Sequence, residues 1–185
     1  MFVLELTKVA AGIIFLICLG FIIYWAIVRW QGDCHFQIMK KRRTPFAVRS
    51  MSLNQVEVSC TVPVRNTGKQ AGTLMDVFLR TYLPSEQYQG SVVRGCLTDA
   101  DKPRDDGYWE SCIVNQGAEK TLLLMIRFEG KSGNILRDME SFPDMPIDII
   151  YQVVGRSDWY YAKSRIELTA EELRQALYRH TSEAR

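Results

Sequence analysis

Histidine is scarce in this chain, which contains only His35 and His180. Neither residue lies in the region of strand-like alternation described below, so a histidine-based catalytic triad or a polyhistidine metal site is not expected. Cys34 and His35 form one adjacent pair without a second pair at zinc-finger spacing. The sequence therefore predicts no cofactor, no bound metal and no enzyme activity.

Cysteine is also sparse, and proline and glycine occur in ordinary numbers. Five cysteines in 185 residues are too few for a disulfide-stapled secreted scaffold, and six prolines with twelve glycines exclude a low-complexity chain. A hydrophobic fraction of 47% with 24% charged residues excludes intrinsic disorder. The chain must therefore bury an apolar core, and its length fits one globular domain with an appendage.

A calcium-binding loop is the nearest match to a ligand motif, and it fails on geometry. Asp99, Asp101 and Glu110 stand at positions 1, 3 and 12 of such a loop. Position 5 is Pro103 and position 6 is Arg104, where the calcium loop requires glycine. We therefore expect residues 98–107 to form a solvated connection between strands.

One long apolar run is present near the N-terminus. Residues 9–28 contain no charge or proline, and 20 helical residues span about 30 Å, the thickness of a bilayer core. A cleaved signal peptide has a shorter apolar region. We expect a short tail at 1–8 and a retained transmembrane helix at 9–30. Its flanking residues are Lys8, Arg29, Tyr24, Trp25 and Trp30, with the aromatic rings suited to the headgroup zone.

Basic residues are concentrated close to this helix. Residues 1–50 carry seven basic and two acidic side chains, a net charge of +5, whereas residues 51–185 carry a net charge of −3. An acidic folded part argues against nucleic acid as a partner. The cluster Lys40, Lys41, Arg42 and Arg43 predicts a cytoplasmic C-terminal domain by the positive-inside rule, with an extracytoplasmic domain as the alternative.

The same cluster lies in a segment, residues 31–53, that we interpret as a basic juxtamembrane linker. Two interpretations of its charge stay open: a solvated linker, or a contact with anionic lipid headgroups.

From residue 54 onward the hydrophobic period changes to two, as in half-buried strands. Turn residues separate seven predicted strands, at 56–65, 72–83, 91–97, 108–114, 120–128, 147–154 and 158–168. Pro63 suggests an edge strand or a bulge in the first of them. Trp159 and Tyr160 are consecutive, so at least one of them should lie outside the core. The pattern predicts an all-β, seven-stranded immunoglobulin-like sandwich over residues 54–168.

The chain closes with a predicted amphipathic helix in residues 169–185. Thr169 and Glu172 have the spacing of a capping box. Leu173, Ala176, Leu177 and His180 follow at helical spacing and form one narrow apolar stripe. The helix packs on the sandwich or binds a partner, and both interpretations stay open.

The connection at 98–107 is the predicted recognition loop, because binding residues concentrate on loops held by a rigid scaffold. Its candidate contact residues are Asp99, Asp101, Asp105, Asp106 and Trp109. Cys96 and Cys112 flank this loop. They would form a disulfide in an oxidising compartment and remain thiols in the cytoplasm.

Residues 56–84 alternate into Val62-Pro63-Val64-Arg65-Asn66-Thr67-Gly68 and then a second strand ending at Leu83-Pro84. This stretch resembles the opening hairpin of the late-embryogenesis-abundant type 2, or WHy, sandwiches, which often follow a single membrane helix. The resemblance covers about thirty residues and implies a non-catalytic binding or protective module. It transfers no site residues.

These observations lead to a functional hypothesis. We expect a single-pass membrane-anchored sandwich that acts as a non-catalytic interaction module or as an accessory subunit of a membrane complex. Its partners would be the lipid bilayer and a protein. The alternative is a membrane-proximal domain that binds a lipid or a small apolar ligand.

Overall fold

The computed structural model describes residues 2–83, 86, 88–104 and 106–183. Asp105 of the predicted recognition loop and Pro84 at the end of the WHy-like stretch lie outside the described residues. The elements in chain order are α1 (Phe2–Gln31), β1 (Phe36–Ile38), a 3-10 turn (Lys40–Arg42), β2 (Ala47–Met51), β3 (Gln55–Asn66), β4 (Gly72–Thr81), β5 (Ser91–Asp99), β6 (Cys112–Val114), β7 (Glu119–Gly130), α2 (Ile135–Asp138), β8 (Met145–Val154), β9 (Tyr160–Leu168) and α3 (Ala170–Glu183).

Helix α1 stands outside the sandwich. Its segment Leu4–Gln31 is long and apolar enough to cross a membrane, and none of that segment is buried against the protein. The predicted span 9–30 lies inside α1, and the predicted tail is mostly its first two turns. The helix ends where Gly32 takes a φ of +64°, a left-handed conformation that glycine adopts without strain.

The strands form two antiparallel sheets. Sheet A has the order β1-β3-β7-β5, with β2 also paired to β3, and sheet B has the order β6-β4-β8-β9. All seven predicted strands are present, and two more bring the number to nine within the described residues. The prediction of an all-β fold with one helix at each end is confirmed at this level, and the immunoglobulin-like assignment stays a prediction.

The two additional strands correct the predicted linker at 31–53. Phe36 and Ile38 of β1 pair with Asn66 and Val64, and β2 pairs with the other end of β3. Both apolar side chains of β1 are buried in the core. A strand of three residues is too short to establish a hydrophobic period, so β1 could not be predicted from the sequence pattern.

Pro63 does not mark an edge, because β3 lies between β7 and the pair β1 and β2. It faces the gap between those two short strands, where the backbone N–H of Met39 donates to the Pro63 carbonyl at 2.8 Å. The carbonyl and the ring nitrogen of one strand residue point to the same side. The missing N–H of Pro63 therefore falls in this gap and removes no hydrogen bond from the β3–β7 ladder.

The turn after β3 is present, but β3 and β4 do not form a hairpin, because they belong to different sheets. Asn66 directs this crossing. Its side-chain amide donates to the Gln70 carbonyl at 2.8 Å and to the Val114 carbonyl at 3.0 Å. Its side-chain oxygen accepts from the Gly68 N–H at 3.0 Å. The chain thus passes from sheet A to sheet B around a buried asparagine.

The core lies between the sheets and is filled by alternate residues of the long strands. Fully buried side chains include Val56, Val58, Val62, Val64, Leu122, Leu124, Ile126 and Phe128 from sheet A and Leu74, Ile147, Ile149 and Leu168 from sheet B. Each side chain of this size stabilises the fold by about 1.5–3 kcal/mol on burial.

Helix α3 follows the predicted boundaries and packs on β2 through Leu173, Ala176 and Leu177. Thr169 caps the helix, because its hydroxyl accepts from the Glu172 N–H at 3.1 Å. The Glu172 carboxylate accepts a hydrogen bond from the Phe46 N–H at 2.9 Å and forms an ion pair with Arg43. The packing interpretation of this helix is therefore confirmed.

Candidate functional site

The end of the sandwich nearest to α1 is held to this helix by the side chain of Asp33. Its Oδ1 accepts from the backbone N–H groups of Cys34 at 2.7 Å and Arg156 at 3.0 Å. Its Oδ2 accepts from the backbone N–H of Ser157 at 2.8 Å. Asp33 and the β8–β9 turn Gly155–Ser157 are called the junction below.

The Asp33 carboxylate carries its charge at neutral pH. Burial raises the pKa of Asp33, but the hydrogen bonds from Ser157, Arg156 and Cys34 outweigh it and hold the pKa well below its ordinary value. Hydrogen bonds to a charged acceptor are about twice as strong as neutral ones. The junction is therefore a charge-assisted contact between the helix exit and a turn that follows it by more than 120 residues.

A second turn strengthens this contact. The backbone N–H of Lys69 donates to the Asp33 carbonyl at 2.9 Å, and the Lys69 Nζ donates to the Trp30 carbonyl at 3.3 Å. The lysine thus satisfies a carbonyl at the C-terminal end of α1 and complements its dipole. Gly68 and Gly155 press so closely on residues 33–35 that a Cβ at either position would overlap them. The helix exit and both turns therefore form one tightly packed unit.

An exposed apolar patch lies beside the junction on the outer face of sheet B. Ile113, Trp159 and Tyr161 are 72%, 60% and 55% exposed, and the rings of Trp159 and Tyr161 meet edge to face at 5.7 Å. Register places them on the same face: Ile113 and Val154 both pair with Thr73, while Tyr161 pairs with Gln152 of β8. Ile113 lies on one edge strand and Tyr161 on the other, with β4 and β8 between them. Ile113, Trp159 and Tyr161 are called the sheet B patch below. The expectation that Trp159 or Tyr160 lies outside the core is confirmed, since Tyr160 is also 41% exposed.

The predicted helix flanks are placed at the two ends of α1. Tyr24, Trp25 and Trp30 are exposed near its C-terminal end, and Tyr24 packs edge to face on Trp25 at 6.1 Å. Lys8 pairs with Glu5 at 3.0 Å in the second turn, so its charge is partly offset. The aromatic cluster therefore lies at the end of α1 that adjoins the junction.

The basic cluster divides into two parts. Lys40 and Lys41 are exposed, and neither forms an ion pair within the part of the chain that the structure describes. Arg42 reaches both carboxylate oxygens of Glu119 at 2.8 Å. Arg43 is partly buried and pairs with Glu172. Arg42 and Arg43 therefore attach the β1–β2 segment to the fold, which corrects their assignment as linker residues.

The described carboxylates of the predicted recognition loop are paired with basic residues of the fold. Lys120 Nζ lies 3.0 Å from Asp99 Oδ2 and 3.0 Å from Asp101 Oδ2, while Arg104 pairs with Asp106. Hydrogen bonds that Lys120 donates to Asp101 and Asp99 raise the pKa of Lys120 well above its ordinary value. The loop thus offers less uncompensated charge than its sequence suggests, and its role in recognition stays a prediction.

Trp109 is not an exposed anchor beside this loop, which corrects its assignment. Its side chain is 7% exposed, and its Nε1 donates to the Leu74 carbonyl at 3.1 Å inside the core. The exposed aromatic residue is its neighbour Tyr108, which is 61% exposed. Adjacent strand-like residues point to opposite sides, so sequence alone could not select between them.

No disulfide joins Cys96 and Cys112. Cys96 lines the outer surface of sheet A with Arg94 and Met125, whereas Cys112 packs against the core from sheet B. Burial raises the pKa of Cys112 above its ordinary value. The two side chains thus face different environments on different sheets.

Two surface depressions are relevant to ligands. A cleft of about 280 Å³ lies over sheet A between Glu57, Arg94 and Arg127. A larger groove of about 810 Å³ lies between the end of α1 and the junction, and it is lined by Trp25, Arg29, Asp33 and Arg156, among others. Among the described residues, no group of three His, Cys, Asp or Glu side chains could hold a metal ion.

Sequence reasoning missed the junction and the sheet B patch. It placed a turn at Gly155-Arg156-Ser157 but gave no role to Asp33, because a lone aspartate after a helix has no periodic signal. The three consecutive aromatics from Trp159 were the available signal for the patch.

Comparison with known proteins identifies no family. No family model and no curated protein matches the chain. Among solved structures, the putative ApaA protein from Bordetella pertussis is 13% identical and covers 74% of this chain and 94% of its own, with a TM-score of 0.40. The GAE domain of yeast GGA1 (9% identity, 69% and 98% coverage, TM-score 0.30) and the AggA fimbrial subunit from Escherichia coli (14%, 74% and 94%, TM-score 0.32) are further neighbours.

Proposed function

We propose that this protein is a single-pass membrane-anchored, non-catalytic interaction module that holds the sheet B patch beside the bilayer for a protein partner, as an accessory subunit of a membrane complex. The observation that carries the proposal is the junction. A flexible tether would let the sandwich turn freely, whereas Asp33 fixes the helix exit to the same turn that leads into Trp159 and Tyr161.

The patch lies close to the membrane surface in this arrangement. Arg29 marks the end of the apolar run, and Asp33 follows four residues later. Asp33 contacts Ser157, which precedes Trp159 by two residues, or about 7 Å of extended chain. A partner that reaches this patch therefore needs its own membrane-proximal surface.

The chemistry of the patch suits a protein. Aromatic residues are enriched at the centres of protein interfaces, where a few of them carry most of the binding energy. Trp159 and Tyr161 each keep more than half of their surface exposed, and Ile113 is exposed on the same face at the opposite edge of the sheet. Outward-facing apolar side chains on two strands of one face favour a packed interface over solvent.

The alternative of an apolar ligand inside the sandwich has less support. Side chains from both sheets fill the space between them, and Val58, Leu124 and Ile149 have no exposed surface. The largest groove described above lies outside the sheets, at the exit of α1.

Site-specific photo-crosslinking in native membranes tests the proposal. A benzophenone amino acid at Tyr161 should give one discrete protein adduct, and Ile113→Asp should abolish it by placing a charge in the interface. The same probe at Tyr108 tests the recognition loop, and a probe at Tyr178, which is 76% exposed on α3, is the matched control. An adduct at Tyr108 or Tyr178 with none at Tyr161 would overturn the choice of surface.

A further inference from the structure

The groove between the exit of α1 and the junction has two chemically different walls. One wall is the helix itself, with Ile22 and Trp25 inside the apolar run. The other wall is polar and includes Arg156 and Ser157, and Arg29 at the end of the helix adds a second guanidinium group at this polar end of the groove. We propose that this groove binds one glycerophospholipid of the surrounding bilayer, with its phosphate between Arg29 and Arg156 and the start of its acyl chains along α1.

Depth supports a lipid as the occupant. Ile22 lies seven residues before Arg29, so about 10 Å of helix separates the apolar wall from the guanidinium group. That length takes the groove from the upper hydrocarbon region to the headgroup layer, which is about 5–8 Å thick on each side of the bilayer core. Its polar end and its apolar wall thus match the order of groups along a phospholipid.

The charges at the polar end are available. Among the described residues, no carboxylate forms an ion pair with Arg29 or Arg156. The Arg156 guanidinium contacts the Gln31 side-chain oxygen, a neutral acceptor that leaves its charge uncompensated. Asp33 is the one negative wall residue, and three backbone N–H groups already occupy its carboxylate. Arginine binds phosphate with paired, charge-assisted hydrogen bonds, so two unpaired arginines define an anion site.

This site replaces the predicted headgroup contact in part. Arg42 and Arg43 have acidic partners within the fold, so they are less available to lipid than Arg29 and Arg156. The inference rests on the membrane-spanning role of α1 in the proposed function. It does not depend on the sheet B patch.

Native mass spectrometry of the full chain tests the site. The protein is released from nanodiscs that contain phosphatidylglycerol or phosphatidylcholine, and the lipids that remain bound are counted. One phosphatidylglycerol per chain should be retained in preference to phosphatidylcholine, because the positively charged choline group would be repelled by the two arginines. Replacing Arg29 and Arg156 by Gln should lower the binding constant about thirtyfold, or about fivefold for each charge.

The matched control replaces Arg94 and Arg179, two exposed arginines remote from the groove, by Gln and should leave retention unchanged. Equal retention in both double variants would overturn the proposal. Displacement of the lipid by millimolar inorganic phosphate would also overturn it, because the site would then bind free anions. Carbonate extraction and the Tyr161 crosslink are measured on the same variants. Extraction of the unaltered chain by carbonate would refute the anchor, whereas an intact anchor and crosslink with unchanged lipid retention in the variants would refute the lipid site alone.

Discussion

Glu172 of α3 and Arg43 before β2 form a two-pronged ion pair, with N–O distances of 2.9 and 3.1 Å. Each side chain is only about one-fifth exposed, and the Arg43 guanidinium also lies 5.0 Å from the centre of the Phe46 ring. The pair joins the C-terminal helix to the segment that leaves β1. It therefore links two parts of the chain that are 129 residues apart.

Glu172→Gln should destabilise the protein by about 1–3 kcal/mol, because Arg43 is left partly buried without its countercharge. The measurement is the thermal midpoint of the detergent-solubilised full chain. Glu171→Gln is the control, since Glu171 is exposed and pairs only loosely with Arg174 at 3.8 Å. Equal effects of the two changes would contradict a structural role for the ion pair.

Asp33→Asn should open the junction. The neutral amide has one acceptor oxygen in place of two and turns a donor group toward a backbone N–H, and each hydrogen bond to a charged group contributes about 1.5–3 kcal/mol. Hydrogen exchange of the Arg156 and Ser157 amides should therefore become faster, while exchange in β3 and β7 stays slow. Asp158→Asn, an exposed neighbour, is the control. Unchanged protection in the Asp33 variant would show that the junction is not held by this side chain.

Asp148 should make stability depend on pH in acid. Hydrogen bonding from Arg165 is the main cause that lowers the pKa of Asp148 to about 2, with Tyr82 adding a further donor. The unfolded carboxyl has a pKa of about 3.9, so the contribution is complete above that pH and is lost as the pH falls from about 4 to about 2. Thermal midpoints between pH 2 and 6 should show this loss. In Asp148→Asn that component should be missing, and the gap to the wild type should narrow toward pH 2.

Trp109 and Trp159 should differ in how much the same substitution lowers the free energy of unfolding. Trp109→Phe leaves the Leu74 carbonyl without its donor inside the core and should cost about 1–3 kcal/mol. Trp159→Phe alters an exposed ring and should stay within about 0.5 kcal/mol. Denaturant unfolding of both variants measures the two free-energy changes. A larger loss for Trp159 would mean that the sheet B patch is structural.

Residues of the basic cluster should affect two different properties: Lys40 and Lys41 the membrane orientation, and Arg43 the stability of the fold. Replacing Lys40 and Lys41 by Gln should weaken the preference for one membrane orientation without lowering the thermal midpoint, because neither lysine has an acidic partner within the described chain. Replacing Arg43 by Gln should lower the midpoint. Protease access to a C-terminal tag in sealed vesicles reports orientation. A single orientation that survives the double lysine change would assign the topology to other features.

The fold was predictable where a segment was long enough to show a period. Strands such as β3 and β7 alternate over twelve residues, and Thr169 marked the start of α3. The segment 31–53 was misassigned because its strands are three and five residues long and its charges dominate the composition.

The site was less accessible to sequence reasoning. Recognition was assigned to the acidic loop because its carboxylates are clustered in sequence, yet Lys120, on a strand about twenty residues away, pairs with two of them. The contact of Asp33 with Ser157 likewise joins residues that only the tertiary fold brings together. Local patterns predict elements, whereas contacts over such separations follow from the arrangement of the sheets.

The junction also orders the biogenesis of the protein. Helix α1 leaves the ribosome before the sandwich, and the turn that receives Asp33 is translated more than 120 residues later. Contacts over such a distance must close a long loop and form late in folding. During translation the nascent sandwich is therefore joined to α1 only through the intervening chain, and it becomes fixed to that helix only when β8 and β9 have been added.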